Sequence, residues 1–326
     1  MPRRKNRTPL LLGLGAAAVV VALVVGAVVI VSGGSGGGAD TPSEAVQEYF
    51  EALARGDAQA ALALGESKPP DTTFLTDDLL KKQSEQMPVT DIKTLGETPG
   101  ANGAVMVEVS VRFGDSTTSD KIPVREVDGG WKLPHAALKL DLGRNSNIYK
   151  PELFDFVTIF GQPAPKSGVA YVFPGPVELG SSNPNIAITA NNIGTPGMMN
   201  IFLGFSSQNV QFDISEEGQS AILEAIMAKV TECAKSKQPA PPNCPIGIEV
   251  SGLVPGTAQW SVPNNFDTFS ADFLNPQTGV VQFYGSLNLG LRVQMDRGQL
   301  WDTPISEYLT GEADITKTPP TITYGP

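Results

Sequence analysis

One histidine, His135, and two cysteines, Cys233 and Cys244, are all that 326 residues hold of those two types. That scarcity removes several kinds of chemistry. A zinc site needs nitrogen and sulfur ligands in company, and the two thiols lie far along the chain from the imidazole. No histidine follows residue 135, so a serine triad has no base in the second half. Phosphate-cradling glycine loops followed by Lys-Ser/Thr are absent, as is Gly-x-Ser-x-Gly. Asp267, Asp272, Asp296, Asp302 and Asp314 are not spaced as a calcium loop. No cofactor, no metal and no catalytic residue is expected, and the chain does not read as an enzyme.

Positive charge is scarce as well once the first residues are passed. Residues 1–32 hold four of the 23 Lys+Arg and none of the 34 Asp+Glu, leaving 19 basic against 34 acidic and a net charge of −15. A surface of that sign is repelled by phosphate polymers, so no nucleic-acid partner is expected. Its plain use is solubility.

What the chain does have is one long apolar run. Leu10 to Val31 is 22 residues without a polar side chain, preceded by Arg3, Arg4, Lys5 and Arg7 and followed by GGSGGGAD. As a helix it is roughly 33 Å long, enough for a ~30 Å hydrocarbon core. The expectation is a basic tail at 1–8, a transmembrane helix at 9–32 with the lipid bilayer as its partner, and a flexible linker at 33–40. The basic flank keeps the N-terminus cytoplasmic and the rest outside. A cleaved signal peptide is the competing reading, but its apolar region is ordinarily ~7–15 residues long.

About 290 further residues suggest two domains. Thr41-Pro42-Ser43-Glu44 caps a helix whose Val46, Tyr49, Phe50 and Leu53 recur at helical spacing. Arg55-Gly56-Asp57 reads as the stop of that helix rather than as an adhesion signal. Short helices are expected at 58–64 and 76–86. From residue 91 the period becomes two. Val105, Val107, Val109, Val111 and Phe113 alternate with polar residues, 121–127 repeats the pattern, and Asp128-Gly129-Gly130 turns the chain into a last long strand from Trp131 to Leu142. Helices followed by an antiparallel meander point to an α+β domain at 41–143.

Residues 144–326 read as a β-rich domain with one helix and a sub-boundary near 214. Strands are expected at 168–173, 177–179, 185–190, 200–205, 209–214, 246–251, 258–262, 266–273, 280–293 and 315–324. Ser215 caps the helix, with an apolar stripe of Ile222, Leu223, Ile226, Met227 and Val230. Cys233 and Cys244 flank AKSKQPAPPN. In an oxidising compartment this pair is expected to close a short disulfide loop, with no redox role because the spacing is not Cys-x-x-Cys.

The stretches SEAVQEYFEALARGDAQAALAL and DGGWKLPHAALKL resemble an NTF2-like domain. They are similar in particular to versions found just outside the membrane in actinobacterial single-pass anchored proteins. YVFPGPVEL and CPIGIEVSGLVPGTAQWSV resemble the disulfide-containing β-rich module paired with it. The resemblance implies helices on a curved antiparallel sheet that closes as a cone. It implies an extracytoplasmic location and carries no activity with it.

Trp131, Leu133 and His135 share one face of the expected last strand, so Trp131 and His135 are the cone-pocket candidates. A histidine bonded to backbone or water is the plain alternative. Trp260, Phe266, Phe269, Phe273, Phe283, Tyr284 and Trp301 are either core residues or the lining of a sugar or lipid groove. The sequence thus points to a membrane-anchored, non-catalytic binding or scaffolding protein of the cell envelope, with an envelope protein or lipid as partner. A carrier or sensor of an apolar molecule in the cone is the second expectation, and an enzyme built on His135 the third.

Overall fold

The computed structural model describes residues 38–144, 147–190, 210–263 and 268–325. The expected membrane span, its basic tail, the strand at 200–205 and Phe266 lie outside those residues. Among the described residues, no helix is long and apolar enough to cross a membrane.

Three helices come first. In α1 (Pro42–Arg55) the Thr41 side chain accepts the Glu44 N–H, and Pro42 brings its fixed φ to the first turn. The helix stops at Gly56, whose φ of 69° turns its N–H back to the Leu53 carbonyl. α2 (Ala58–Ala63) and α3 (Asp77–Gln86) are capped by Asp57 and Thr76. Val46, Tyr49, Phe50 and Leu53 make one wholly buried stripe along α1.

Alternation then takes over. β1 (Val89–Pro99), β2 (Val105–Phe113), β3 (Ser116–Val127) and β4 (Gly130–Lys132) pair in sequence order, all antiparallel. Val107, Val109 and Val111 from β2 and Ile122 and Val124 from β3 pack with the α1 stripe in one buried cluster. Each such side chain contributes ~1.5–3 kcal/mol on burial. Asp128 and Gly129 both take positive φ, as a type I′ hairpin turn requires. Ahead of α1, Ala39 and Trp131 exchange both backbone hydrogen bonds. Gly38 sits so close to Gly130 that an added Cβ falls 2.9 Å from its backbone.

The α+β expectation, an NTF2-like cone over residues 41–143, is corrected by this architecture. Sixteen strands stand against four α-helices among the described residues, so the fold is mostly β-sheet, without the NTF2-like set of helices on a sheet. The long closing strand from Trp131 to Leu142 is broken in two. At Leu133 the backbone turns aside to bond Leu64 and Glu66, and Pro134 brings no N–H to continue a ladder. β5 (Leu138–Asp141) therefore leaves the meander and pairs instead with a strand of the second half.

The second half is built from short pieces and one large sheet. A 3₁₀ turn (Pro151–Phe156) leads to β6 (Val157–Ile159), β7 (Gln162–Pro163), β8 (Val169–Val172), β9 (Leu179–Ser181), β10 (Ile186–Ala190) and β11 (Val210–Ile214). β5 pairs with β8, β6 lies between β7 and β9, and β10 pairs with β11. α4 (Glu216–Cys233) starts at Ser215, whose hydroxyl accepts the Gly218 N–H at 2.9 Å, with Glu216 and Glu217 in its positive first turn. Ile222, Ile226 and Val230 are its buried stripe. Cys233 and Cys244 form a disulfide, Cα to Cα 5.7 Å, that ties the end of α4 to the following loop. The strand expected at 246–251 is absent: Ile248 N–H donates across this loop to Pro239.

β12 (Gln259–Ser261), β13 (Ser270–Asn275), β14 (Val280–Gln294), β15 (Leu300–Asp314) and β16 (Thr321–Tyr324) form the large sheet. β14 and β15 pair over all fifteen residues; β12 and β13 share the other edge of β14, and β16 joins the far end of β15. Val281, Phe283, Leu287, Leu289, Leu309 and Ala313 face inward and join the second core with the α4 stripe. Gly311 is required there, since a Cβ would meet the Thr323 carbonyl at 2.3 Å and the Phe283 ring at 2.5 Å.

Gly36–Pro326 form one compact unit around these two main cores. Gln83 of α3, 2% exposed, links them: its Nε2 donates to the carbonyls of Phe173 (3.2 Å) and Pro176 (3.1 Å). Phe173 is itself buried in the first core. Buried Asn183 and Asn185 donate to the Ile315 and Lys317 carbonyls and hold the end of β15 against β10.

Candidate functional site

The residues singled out from sequence separate clearly. His135 sits in the exposed turn between β4 and β5, outside any strand, and no hydrogen bond ties it to a carboxylate among the described residues. Trp131 is half-buried and packs on the first core. The space beneath the meander is filled by Tyr49, Phe50, Leu53, Val107, Val109 and Val111, each 0% exposed. Tyr49 hydroxyl donates to the Ala136 carbonyl at 2.9 Å, and burial pushes its phenol far above the ordinary range. No group of three or more His, Cys, Asp or Glu able to hold a metal occurs among the described residues. A shallow, open depression of about 370 Å³ lies along the first turns of α4, lined by Glu216, Glu217, Ser220, Ala221 and Glu224. Those carboxylates line a solvated helix face and converge on nothing.

The aromatic residues of the second half divide by side of the large sheet. Phe283 points inward at 1% exposure and meets Tyr324 edge to face at 5.8 Å. Burial raises the Tyr324 phenol to about 12, and its buried hydroxyl oxygen finds no partner among the described residues. Trp260 and Trp301 are half-buried against the small cluster of Ala258, Leu291 and Val293. Phe269 is half-buried against the second core. Phe273 and Tyr284 point outward, 67% and 51% exposed.

A third outward ring, Tyr308 at 65% exposure, joins them. Registers place the three on neighbouring strands: Phe273 opposite Gln282, Ser270 opposite Tyr284, and Ser286 opposite Tyr308. Each ring is therefore the diagonal neighbour of the next, at roughly 7–8 Å between Cα atoms, and the row crosses β13, β14 and β15 on one face. Thr268 hydroxyl donates to the Ser286 carbonyl and Ser270 bonds Asp272, which fixes the β13 edge. Gln282, Ser286 and Thr310 stand between and beside the rings, and their side chains make no hydrogen bond among the described residues. Arg292 and Asp302 lie farther along the same face and neutralise each other at 2.6 Å.

Tyr308 was not singled out from sequence because β15 itself was not expected as a strand. Pro304 and the acids of TPISEYLTGEAD obscure it. Its alternation was nonetheless present: Trp301, Ile305, Leu309 and Ala313 fall at even spacing. Pro304 is tolerated because β16 joins β15 only from Gly311 onward, so the strand is an edge at that point.

This surface offers rings, amides and hydroxyls to a partner. Set against protein-family models, against curated proteins and against solved structures, the chain matches none.

Proposed function

We propose that this chain is a non-catalytic binding protein, held at a membrane by residues 9–32 with the following chain outside, that presents the open face of β13, β14 and β15 to a partner in the cell envelope. The observation that carries the reading is the row Phe273, Tyr284 and Tyr308. Three large rings more than half exposed on a rigid sheet cost solubility and do not serve either core. The location is supported by the apolar run at Leu10–Val31, by the one-sided charge around it, and by the Cys233–Cys244 disulfide, which persists in oxidising compartments. A tethered protein is confined to a thin layer beside the membrane, and such confinement lets modest affinities suffice.

The test is co-sedimentation of the full-length protein, kept in detergent so that residues 9–32 are covered, with purified envelope fragments stripped of lipid. The wild type is expected to pellet with them. A variant carrying Phe273→Ala, Tyr284→Ala and Tyr308→Ala is expected to remain in solution with an unchanged melting temperature. Equal pelleting of both proteins removes the face from the proposal; no pelleting of either removes the binding reading altogether.

A further inference from the structure

We infer that the ring row on β13, β14 and β15 is a stacking platform for an uncharged, linear pyranose polymer. The inference rests on the binding reading above and names its ligand class.

The geometry favours an extended ligand. With ~4.8 Å between strands and ~3.3 Å per residue, the path from Phe273 to Tyr308 runs roughly 16 Å across the sheet, about the length of a linear trisaccharide. The rings stand on an open sheet face and cross three strands, which suits a chain laid across the face. An apolar peptide side chain would need a hole to fill, and a peptide backbone would need an unpaired strand edge. Both edges of β14 are occupied here, by β13 and β15, and the ring row runs across the strands rather than along the edge that β15 leaves before Gly311.

The polar residues fit the same ligand. Between the rings lie Gln282, Ser286 and Thr310, an amide and two hydroxyls that both donate and accept. A sugar hydroxyl also does both, so these side chains answer it without fixing one orientation. The C–H faces of the sugar rings would cover Phe273, Tyr284 and Tyr308, which no aromatic or hydrogen-bonding partner occupies among the described residues.

Charge decides between polymers. The acids beside the row are Asp272 and Glu312, and the cation of this face, Arg292, is neutralised by Asp302. With the whole chain at −11, a polyanion or an anionic lipid surface meets repulsion and no free cation on this face among the described residues. An uncharged glycan pays nothing for that field.

The experiment is calorimetric titration of the full-length protein with soluble cello-oligosaccharides and chito-oligosaccharides, repeated at low and high salt. Saturable binding that salt does not weaken is expected. Tyr308→Ala or Phe273→Ala should weaken it about tenfold or more without changing the melting temperature. Phe273→Trp, which keeps a flat ring, should retain it. Absence of binding to both sugars, or binding that the alanine variants leave unchanged, overturns the inference. So does binding to phosphatidylcholine vesicles, in place of sugars, that is lost when the rings are replaced, or a wild-type dimer that sediments as a monomer once the rings are removed. Envelope co-sedimentation that depends on the rings, together with flat sugar titrations, would keep the binding reading and discard the glycan.

Discussion

The molecule has two large antiparallel sheets, each with one face on a core and one face open, and the open faces are unlike. On the first, cross-strand partners cancel one another: Glu108 lies opposite Lys121, Ser110 opposite Ser119, and Arg112 reaches Asp91 at 2.8 Å. On the second, rings stand among amides and hydroxyls. Both sheets bury the same kind of alternating aliphatic set, so the fold itself asks for no ring on either outer side. The first sheet exposes Leu95 on β1 but no ring of comparable exposure among the described residues. The second departs from it at three adjacent positions, which is why the candidate site is placed there.

The sharpest break of that comparison is between consecutive residues. Phe283→Ala empties a fully buried position and should cost ~3–5 kcal/mol in denaturant unfolding, while Tyr284→Ala should change stability by less than ~1 kcal/mol. Equal losses would mean that the outer rings are structural. Next in size is the disulfide. Replacing Cys233 and Cys244 by Ala, or reducing the bond, should cost about 2–4 kcal/mol and should act through α4 and the second core. Thermal melts with and without reductant check it.

A third substitution asks whether the two regions unfold together. Gln83→Leu leaves the Phe173 and Pro176 carbonyls without their donor and should cost about 1–2 kcal/mol. If the halves separate, the single unfolding transition of the wild type should split. The smallest expected effect is on α1. Burial, then Glu44, Glu51 and Asp40, hold the Glu48 carboxyl above its ordinary 4.5, so its charged form is disfavoured on folding. That penalty is absent below pH 4.5 and grows as pH rises through the folded-state value. Glu48→Gln should therefore raise the melting temperature slightly at pH 7, an effect kept small by solvent screening at this exposed position, and lose the advantage on acidification, as melts at the two pH values would show.

How far the sequence could be read depended on whether a signal was local. Thr41 and Ser215 announce their helices because a cap needs only the next three residues, and both are found capping. The β2 alternation and the Asp128-Gly129 turn are equally local, and the Cys233–Cys244 pair spans a short loop. The destination of β5 is a different kind of fact. Leu138–Asp141 has the right alternation for the meander, but its partner Val169–Val172 comes from the other half, and only Pro134 hinted at the departure. That switch, with the preponderance of strands over helices among the described residues, overturns the NTF2-like expectation. The candidate site was half legible: Phe273 and Tyr284 were among the aromatics considered, while the inward turn of Phe283 and the existence of β15 set which side each ring takes. A period-two pattern fixes that two neighbours oppose each other, and the choice of inner face comes from the partner strand.

The Ala39–Trp131 pairing has a mechanical consequence. With Gly38 pressed on Gly130, the chain is riveted to the rim of the first sheet before α1 begins. A pull applied at Gly38 would be delivered to β4, across two hydrogen bonds, and would reach the helix stripe only after they part. The rings on β14 and β15 lie in the other half, on a fifteen-residue ladder that such a tug does not load first.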